Sequence, residues 1–184
     1  KKVSPELNGH RLLLRVNPDI ARALKEEESA VLTDLRQSIG KEVSIKPGIN
    51  DDFLKEEVDV KQWYQTFESE AREIAAQKDA IVATMKLRKG QDVVDVGSGT
   101  GLFLTPLAEA VGVAGKVYAL DIAPDFVEGL KKRVKAENLE QVEVRLSKER
   151  SVELPPLSVD AAFVCDTYHH FEYPQHVLYS LYKA

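Results

Sequence analysis

The sequence has little cysteine and no long apolar run. Cys165 is the only cysteine among the 184 residues, so no internal disulfide can form and a reducing compartment, the cytoplasm, is expected. No stretch approaches the roughly 20 consecutive apolar residues that a membrane-spanning helix needs, so we expect no membrane partner. The formal net charge of −5 gives no support for a protein that binds nucleic acid through a basic surface.

Three of the glycines stand at alternate positions in one short segment, residues 92–101, which reads DVVDVGSGTG. The run Asp92–Val96 predicts a buried strand of a parallel sheet, and residues 102–111 predict a helix. Glycine between strand and helix lets the chain turn sharply and lets a ligand approach the backbone. The start of the helix then presents free N–H groups, as in nucleotide-cofactor sites.

A second acid narrows the choice of ligand. Asp121 ends the next predicted strand, where a carboxylate can bind ribose hydroxyls. The dinucleotide fingerprint G-x-G-x-x-G would need glycine at position 102, which is Leu102, and Asp95 beside the loop would repel a pyrophosphate. S-adenosylmethionine (SAM) carries an ammonium and a sulfonium and no phosphate. The electrostatics therefore favour SAM over NAD, with a turn that binds no ligand or another nucleotide cofactor as alternatives.

The ordered set of motifs resembles class I SAM-dependent methyltransferases over about residues 62–184. Residues 95–101 are similar to motif I of that family, and residues 117–122 to the acidic motif that follows it. Residues 158–164 resemble its strand-four motif, and the loop 166–171 is similar to that of ubiquinone/menaquinone-type methyltransferases. The resemblance implies an α/β, Rossmann-like sheet and a transferase that moves a methyl group from SAM to a small-molecule substrate.

The resemblance also assigns cofactor-binding residues. Those that face the methionyl end of SAM are Asp95, Gly97, Ser98, Gly99, Thr100 and Gly101. Asp121 would bind the ribose, and Ile122 would pack on the adenine. The family often has an acid after strand three that binds the adenine amine, but Ser147 or Lys148 stands there, so Glu149 is the candidate.

The loop after the fourth strand supplies the candidate catalytic residues. Asp166 ends that strand, where a ligand-facing polar residue is expected, and it is predicted to bind the cofactor; His169 and His170 follow it as the catalytic candidates. Histidine titrates near neutral pH, so either one could act as a base, orient an acceptor, or serve as a structural hydrogen-bonding residue. Adjacent side chains in an extended segment point apart, so we predict no metal site.

Residues 1–58 are predicted to form a separate β-α-β module. Strands are expected at Arg11–Val16 and Glu42–Lys46, with a helix that begins at Asn17-Pro18 between them. Residues 10–60 loosely resemble the small C-terminal domain of ribonuclease E/G-type enzymes; a cap or an oligomerisation module is the alternative. The residues that carry this likeness are Leu12–Pro18, Glu26–Glu28 and Ile39–Val43. Acidic residues outnumber basic ones here, which argues against a general RNA-binding surface.

The second domain, residues 59–184, should begin with one amphipathic helix over residues 59–87, although a third short strand could occupy Glu57–Val60. Pro106 is expected to loosen or kink the helix after the glycine loop, which is residues 97–101. A further helix is expected at 123–136, and the cations Lys131–Arg133 near its end are interpreted as a solvated face.

The later strands suggest an incomplete sheet. Val142–Leu146 alternates strictly and predicts a half-exposed edge strand, and Ala161–Cys165 predicts the fourth strand. The family's sheet has seven strands, of which this sequence supplies four, so we expect a fragment or incomplete chain. The edge of strand four would then be open to a second copy or another partner chain. A SAM-binding or interaction protein without transfer activity is the alternative function, and an RNA methyltransferase is the third.

Overall fold

The structure is a computed structural model, and it describes residues 12–16, 33, 37–38, 43–55 and 57–184. The chain divides into two compact units, with the boundary between Asp51 and Asp52. In the first unit, strands β1 (Leu12–Val16) and β2 (Val43–Pro47) pair in parallel, with Leu12 opposite Val43. The two strands lie where the sequence predicts them, and a parallel pair needs a long connection between its strands. The predicted helix between the two strands, and most of the ribonuclease-like segments, lie outside the described residues.

The second unit contains a parallel sheet of the predicted α/β class. Its strands are β3 (Val93–Val96), β4 (Val117–Asp121), β5 (Val142–Leu146) and β6 (Ala161–Phe163). They pair in the order β5-β4-β3-β6, and all three pairings are parallel. Every residue of β3 and β4 is buried, because both strands lie inside the sheet and are covered on both faces.

Helices cover the faces of this sheet: α4 (Leu104–Val111), α5 (Pro124–Ala136) and α6 (Pro174–Lys183). Successive side chains of a strand point to opposite faces. Accordingly, Val93 packs in a core cluster with Leu104, whereas Val94 packs in a second cluster with Val177 of α6. The sheet therefore has a hydrophobic core on each face, with helices packed over both.

The long helix predicted for residues 59–87 is wrong. The structure has three shorter helices instead: α1 (Val60–Phe67), α2 (Glu73–Ala76) and α3 (Lys78–Thr84). The first break lies at Ser69, whose hydroxyl accepts a hydrogen bond from the backbone N–H of Ala71 at 3.3 Å. Such a local bond offers the backbone an alternative to the helix, which is why serine favours turns.

The start of α1 also corrects the predicted strand at Glu57–Val60. Asp59 caps the helix, because its carboxylate accepts a hydrogen bond from the N–H of Gln62 at 3.1 Å. Residues 52–58 belong to the larger unit, although the sequence placed its boundary after residue 58. Phe53 shows the reason, since its ring centroid lies 4.9 Å from that of Trp63 in α1.

Two further details differ from the sequence predictions. The helix after the glycine loop begins at Leu104 rather than Leu102, so Pro106 lies in its first turn. The missing N–H of proline costs nothing there, and the predicted kink is wrong. Strand β6 ends at Phe163 rather than Cys165.

The edges of the sheet follow the predictions. β5 lies at one edge and is only partly buried beyond Val142, as its alternating sequence predicts. β6 lies at the other edge of the described sheet. None of the described helices is both long and apolar enough to cross a membrane.

The substitution Leu104→Ala tests the core. Leu104 is fully buried, so losing its side chain should reduce the free energy of unfolding by about 2–5 kcal/mol. Val113→Ala is the control, because Val113 is 97% exposed and its truncation should cost below about 0.5 kcal/mol. Equal losses for both variants in urea unfolding would contradict this placement of the core.

Candidate functional site

The glycine loop follows β3 directly and lies beside the end of β4. The N–H groups of Gly97 and Ser98 both donate to the carbonyl of Leu120 at 2.8 Å. Gly97 has φ 75°, and a Cβ there would overlap the side chain of Thr167. The loop after β6 therefore packs directly on the glycine loop, and Thr167 donates its hydroxyl hydrogen to the carbonyl of Cys165 at 3.0 Å.

Asp121 connects this loop to the start of α5. One carboxylate oxygen accepts from the N–H of Gly99 at 2.9 Å, and the other accepts from the N–H of Ala123 at 2.9 Å. The residue is 7% exposed, and burial raises its pKa although the backbone donors lower it. A carboxylate oxygen accepts more than one hydrogen bond, so Asp121 retains capacity for hydroxyl donors.

Asp95 is the second buried acid of the site. Burial raises its pKa to about 7, the charge of Asp121 adds to that rise, and Ser98 opposes it. Within the described part of the chain, Oδ2 of Asp95 has no hydrogen-bond partner, and the same holds for Oγ1 of Thr100. A buried, unsatisfied carboxylate suits a ligand with a positive charge, because the charge would relieve the cost of its burial.

The loop after β6 forms the facing part of the site. Asp166 has φ 54° and accepts a hydrogen bond from Nη2 of Arg72 at 2.5 Å. Tyr168–His170 is a turn of 3₁₀-helix, not the extended segment that the sequence suggested, so the two adjacent histidines do not point apart. Their ring centroids lie 4.2 Å from each other.

His170 also contacts the first residues of the unit. Its ring meets that of Phe53 edge to face, with 5.1 Å between centroids. Burial lowers the pKa of His170, and the charge of His169 lowers it further, whereas Asp166 raises it. A lowered pKa favours the neutral imidazole, which is the state that a base requires.

An aromatic cluster, defined as Phe53, Trp63, Phe67 and Phe126, lies beside the glycine loop. Phe67 packs against Trp63 with 5.0 Å between ring centroids and against Phe126 with 6.3 Å. A Cβ built on Gly99 would lie 3.6 Å from the ring of Phe67. The sequence pattern does not single out Phe67, because it predicts one amphipathic helix over residues 59–87 and the contact with Gly99 joins segments far apart in the chain.

The residues predicted to contact the adenine differ in how closely they lie to Asp121. Ile122 follows Asp121 directly and is half-buried. Glu149 is exposed in a turn that the Lys148–Ser151 bridge closes. Ser147 is instead the residue beside Asp121, because it is buried and its N–H donates to the Asp121 carbonyl at 2.9 Å. The predicted adenine contact of Glu149 stays a prediction.

A family model described as a methyltransferase domain matches residues 93–184, which is half of the chain. The chain belongs to the methyltransferase domain family. This membership confirms the predicted fold class and the predicted cofactor, SAM. The match begins at β3, so the resemblance of residues 10–60 to a ribonuclease domain stays a prediction.

Individual relatives support the same family. A demethylmenaquinone methyltransferase of Geobacillus stearothermophilus is 34% identical over 89 residues, which are 48% of this chain and 38% of that protein. A tRNA adenine methyltransferase of Methanocaldococcus jannaschii is 39% identical over 54 residues, 29% of this chain and 19% of that protein. The chain therefore spans well under two thirds of either relative.

A solved structure shares the architecture. The crystal structure of a SAM-dependent methyltransferase from Aquifex aeolicus is 31% identical, with a TM-score of 0.60. The superposed region covers 67% of the present chain and 64% of the Aquifex chain.

The pKa of Asp95 gives a prediction for the unliganded protein. The folded carboxyl keeps its proton up to about pH 7, whereas the unfolded one loses it near 3.8, so stability should fall as pH rises between these values. Between pH 5 and pH 8, Asp95 should account for about 3 kcal/mol of lost unfolding free energy.

Urea unfolding of the wild type and of Asp95→Asn at both pH values measures this difference. Asp121 also has a raised pKa, so Asp121→Asn is the matched control for the neighbouring acid. An Asp95→Asn variant with the same pH dependence as the wild type would contradict the assignment.

Proposed function

We propose that this chain is the cofactor-binding part of an enzyme that transfers a methyl group from SAM to a small-molecule acceptor. The observation that carries the proposal is the pair of buried acids at the ends of β3 and β4. Asp95 has an unsatisfied oxygen within the described structure, and Asp121 lies beside the glycine loop. Such a site favours a ligand that carries a cation at one end and ribose hydroxyls at the other.

The roles of the residues follow from these properties. The bound cofactor supplies a methyl carbon that a sulfonium leaving group has already activated. Asp121 would accept hydrogen bonds from the ribose hydroxyls, and Asp95 would offset the charge of the ammonium. The glycine loop would allow the close approach that side chains prevent. The protein then contributes mainly by holding the two reactants in alignment.

The acceptor would lie on the side of the loop after β6. His169 and His170 are the candidate bases there, and the lowered pKa of His170 supports a neutral imidazole that can take a proton from an acceptor. Asp166 is held by Arg72 at 2.5 Å and could help to orient the acceptor. A base is needed only where the acceptor atom must lose a proton.

The net charge of −5 and the demethylmenaquinone methyltransferase among the relatives support a small-molecule acceptor. The second candidate is an RNA acceptor, which the tRNA adenine methyltransferase favours. The first unit would then bind RNA, and that binding should weaken steeply as salt concentration rises.

Calorimetric titration with S-adenosylhomocysteine tests the cofactor site. The wild type should bind it and should not bind NAD. Asp121→Asn should weaken binding by about tenfold or more, because hydrogen bonds to a charged group are lost. Glu128→Gln is the control, since Glu128 is exposed on α5, the helix that follows Asp121. Binding of NAD instead, or no binding by folded wild type, would contradict the proposal.

Methyl-labelled SAM tests the acceptor class. We expect the chain, given a fractionated cell extract, to transfer label to the low-molecular-mass fraction and not to the RNA fraction. At SAM concentrations below saturation, Asp121→Asn should reduce the labelling of either fraction by about tenfold or more, which controls for transfer by other enzymes. Label found only in RNA would refute the small-molecule acceptor while leaving the methyltransferase assignment in place.

A further inference from the structure

Arg133 differs from the other cations at the end of α5. Its side chain is 14% exposed, whereas Lys131 and Lys132 are exposed. The interpretation of Lys131–Arg133 as one solvated face is therefore wrong for Arg133. A nearly buried guanidinium needs several partners to offset its desolvation, so its contacts identify what it holds.

The guanidinium of Arg133 joins three parts of the unit. Nη1 donates to the carbonyl of Thr100 at 3.0 Å and to Oε1 of Glu68 at 2.5 Å. Nε donates to Oε1 of Glu137 at 2.7 Å. Glu137 is held in turn by the hydroxyl of Thr105, at 2.5 Å from its Oε2. These charge-assisted bonds are the stronger kind, and a planar guanidinium fixes their directions.

Two of these contacts lead to the site. Thr100 belongs to the glycine loop, and its carbonyl is the acceptor that ties the loop to α5. Glu68 is the C-terminal capping residue of α1 and follows Phe67, the aromatic side chain beside Gly99. Arg133 therefore fixes the glycine loop and the end of α1 relative to each other.

A second ion pair joins the segment after α1 to the loop after β6, and it is more exposed than the pair of Arg133 with Glu68. Arg72 pairs with Asp166, and these side chains are 32% and 43% exposed. Exposed pairs contribute little because solvent screens them and side-chain entropy opposes them. Arg72 also donates from Nη1 to the carbonyl of Phe67 at 3.3 Å, so both arginines hold the end of α1, and Arg133 adds the bond to the glycine loop.

We propose that Arg133 is a positioning residue of the cofactor site. It acts through Thr100 and Glu68, and it holds the glycine loop and the aromatic cluster in the arrangement that binds the adenosyl cofactor. The inference rests on the proposed function of the glycine loop. It extends that function to a side chain on the outer helix, whose contacts run to the loop backbone and to α1.

The test compares Arg133→Met with Lys132→Met in the full chain. Both changes give the same apolar side chain, but only the first removes the contacts to Thr100 and Glu68. We expect Arg133→Met to weaken S-adenosylhomocysteine binding by about tenfold in calorimetric titration, whereas Lys132→Met should leave it unchanged. Arg133→Lys should recover part of the affinity, because an ammonium keeps the charge but cannot span the same partners.

Fluorescence gives a readout that does not depend on methyl transfer. Trp63 is the only tryptophan of the chain and lies in α1, 5.0 Å from Phe67 between ring centroids. If α1 moves away from the loop, the emission of Trp63 should shift to longer wavelength in Arg133→Met. It should stay unchanged in Lys132→Met.

A folded Arg133→Met variant with wild-type affinity and wild-type Trp63 emission would overturn the inference. If Arg133→Met does not fold, Glu68→Ala decides, because alanine has no acceptor for Arg133 and the change removes the contact to α1 alone. Weaker S-adenosylhomocysteine binding with shifted emission supports positioning, and unchanged values overturn it. Wild-type protein that binds no S-adenosylhomocysteine refutes the proposed function as well. Wild-type binding that survives Arg133→Met refutes only the role of Arg133.

Discussion

The carboxylate of Asp121 holds together the loops from which the site is built. Its two oxygens accept hydrogen bonds from the N–H of Gly99 in the glycine loop and from the N–H of Ala123 at the start of α5. The backbone carbonyl of Asp121 accepts a third hydrogen bond, from the N–H of Ser147 after β5. Because β3, β4 and β5 are parallel, their carboxyl ends meet at one edge of the sheet. One buried acid can therefore anchor the three connections that leave that edge.

Burial of this acid beside a second one gives the site its charge preference. Asp95 and Asp121 are both buried, and the charge of Asp121 raises the energy of the ionised form of Asp95. A phosphate group would add a third negative charge, whereas an ammonium would neutralise part of the pair. This electrostatic constraint agrees with membership in a methyltransferase family rather than in a dinucleotide-binding one. Fold alone does not choose the acceptor, because acceptors are selected by side chains around the site.

The side chains beside the glycine loop come from distant parts of the chain. Phe53 precedes α1, Trp63 and Phe67 lie within it, and Phe126 lies on α5. Arg133 of α5 bonds the capping residue of α1 and the backbone of the glycine loop. After the break that follows Phe67, Glu68 pairs with Arg133 and Arg72 pairs with Asp166, so both ion pairs lie on the segment around Ser69. The local hydrogen bond of Ser69 is thus tied to the geometry of the site.

The sequence by itself determined the strands of the sheet, their class, the glycine loop and the acids Asp95 and Asp121. These features follow from short-range rules, since buried parallel strands are apolar runs and a tight turn near a ligand needs glycine. Tertiary structure decided where the helix after Asp59 breaks, that His169 and His170 share a 3₁₀ turn, and that Ser147 lies closer to Asp121 than Glu149 does. It also decided that Arg133 is nearly buried while Lys132 is exposed. Such outcomes depend on contacts between segments far apart in the chain, which the spacing of residues within one segment does not contain.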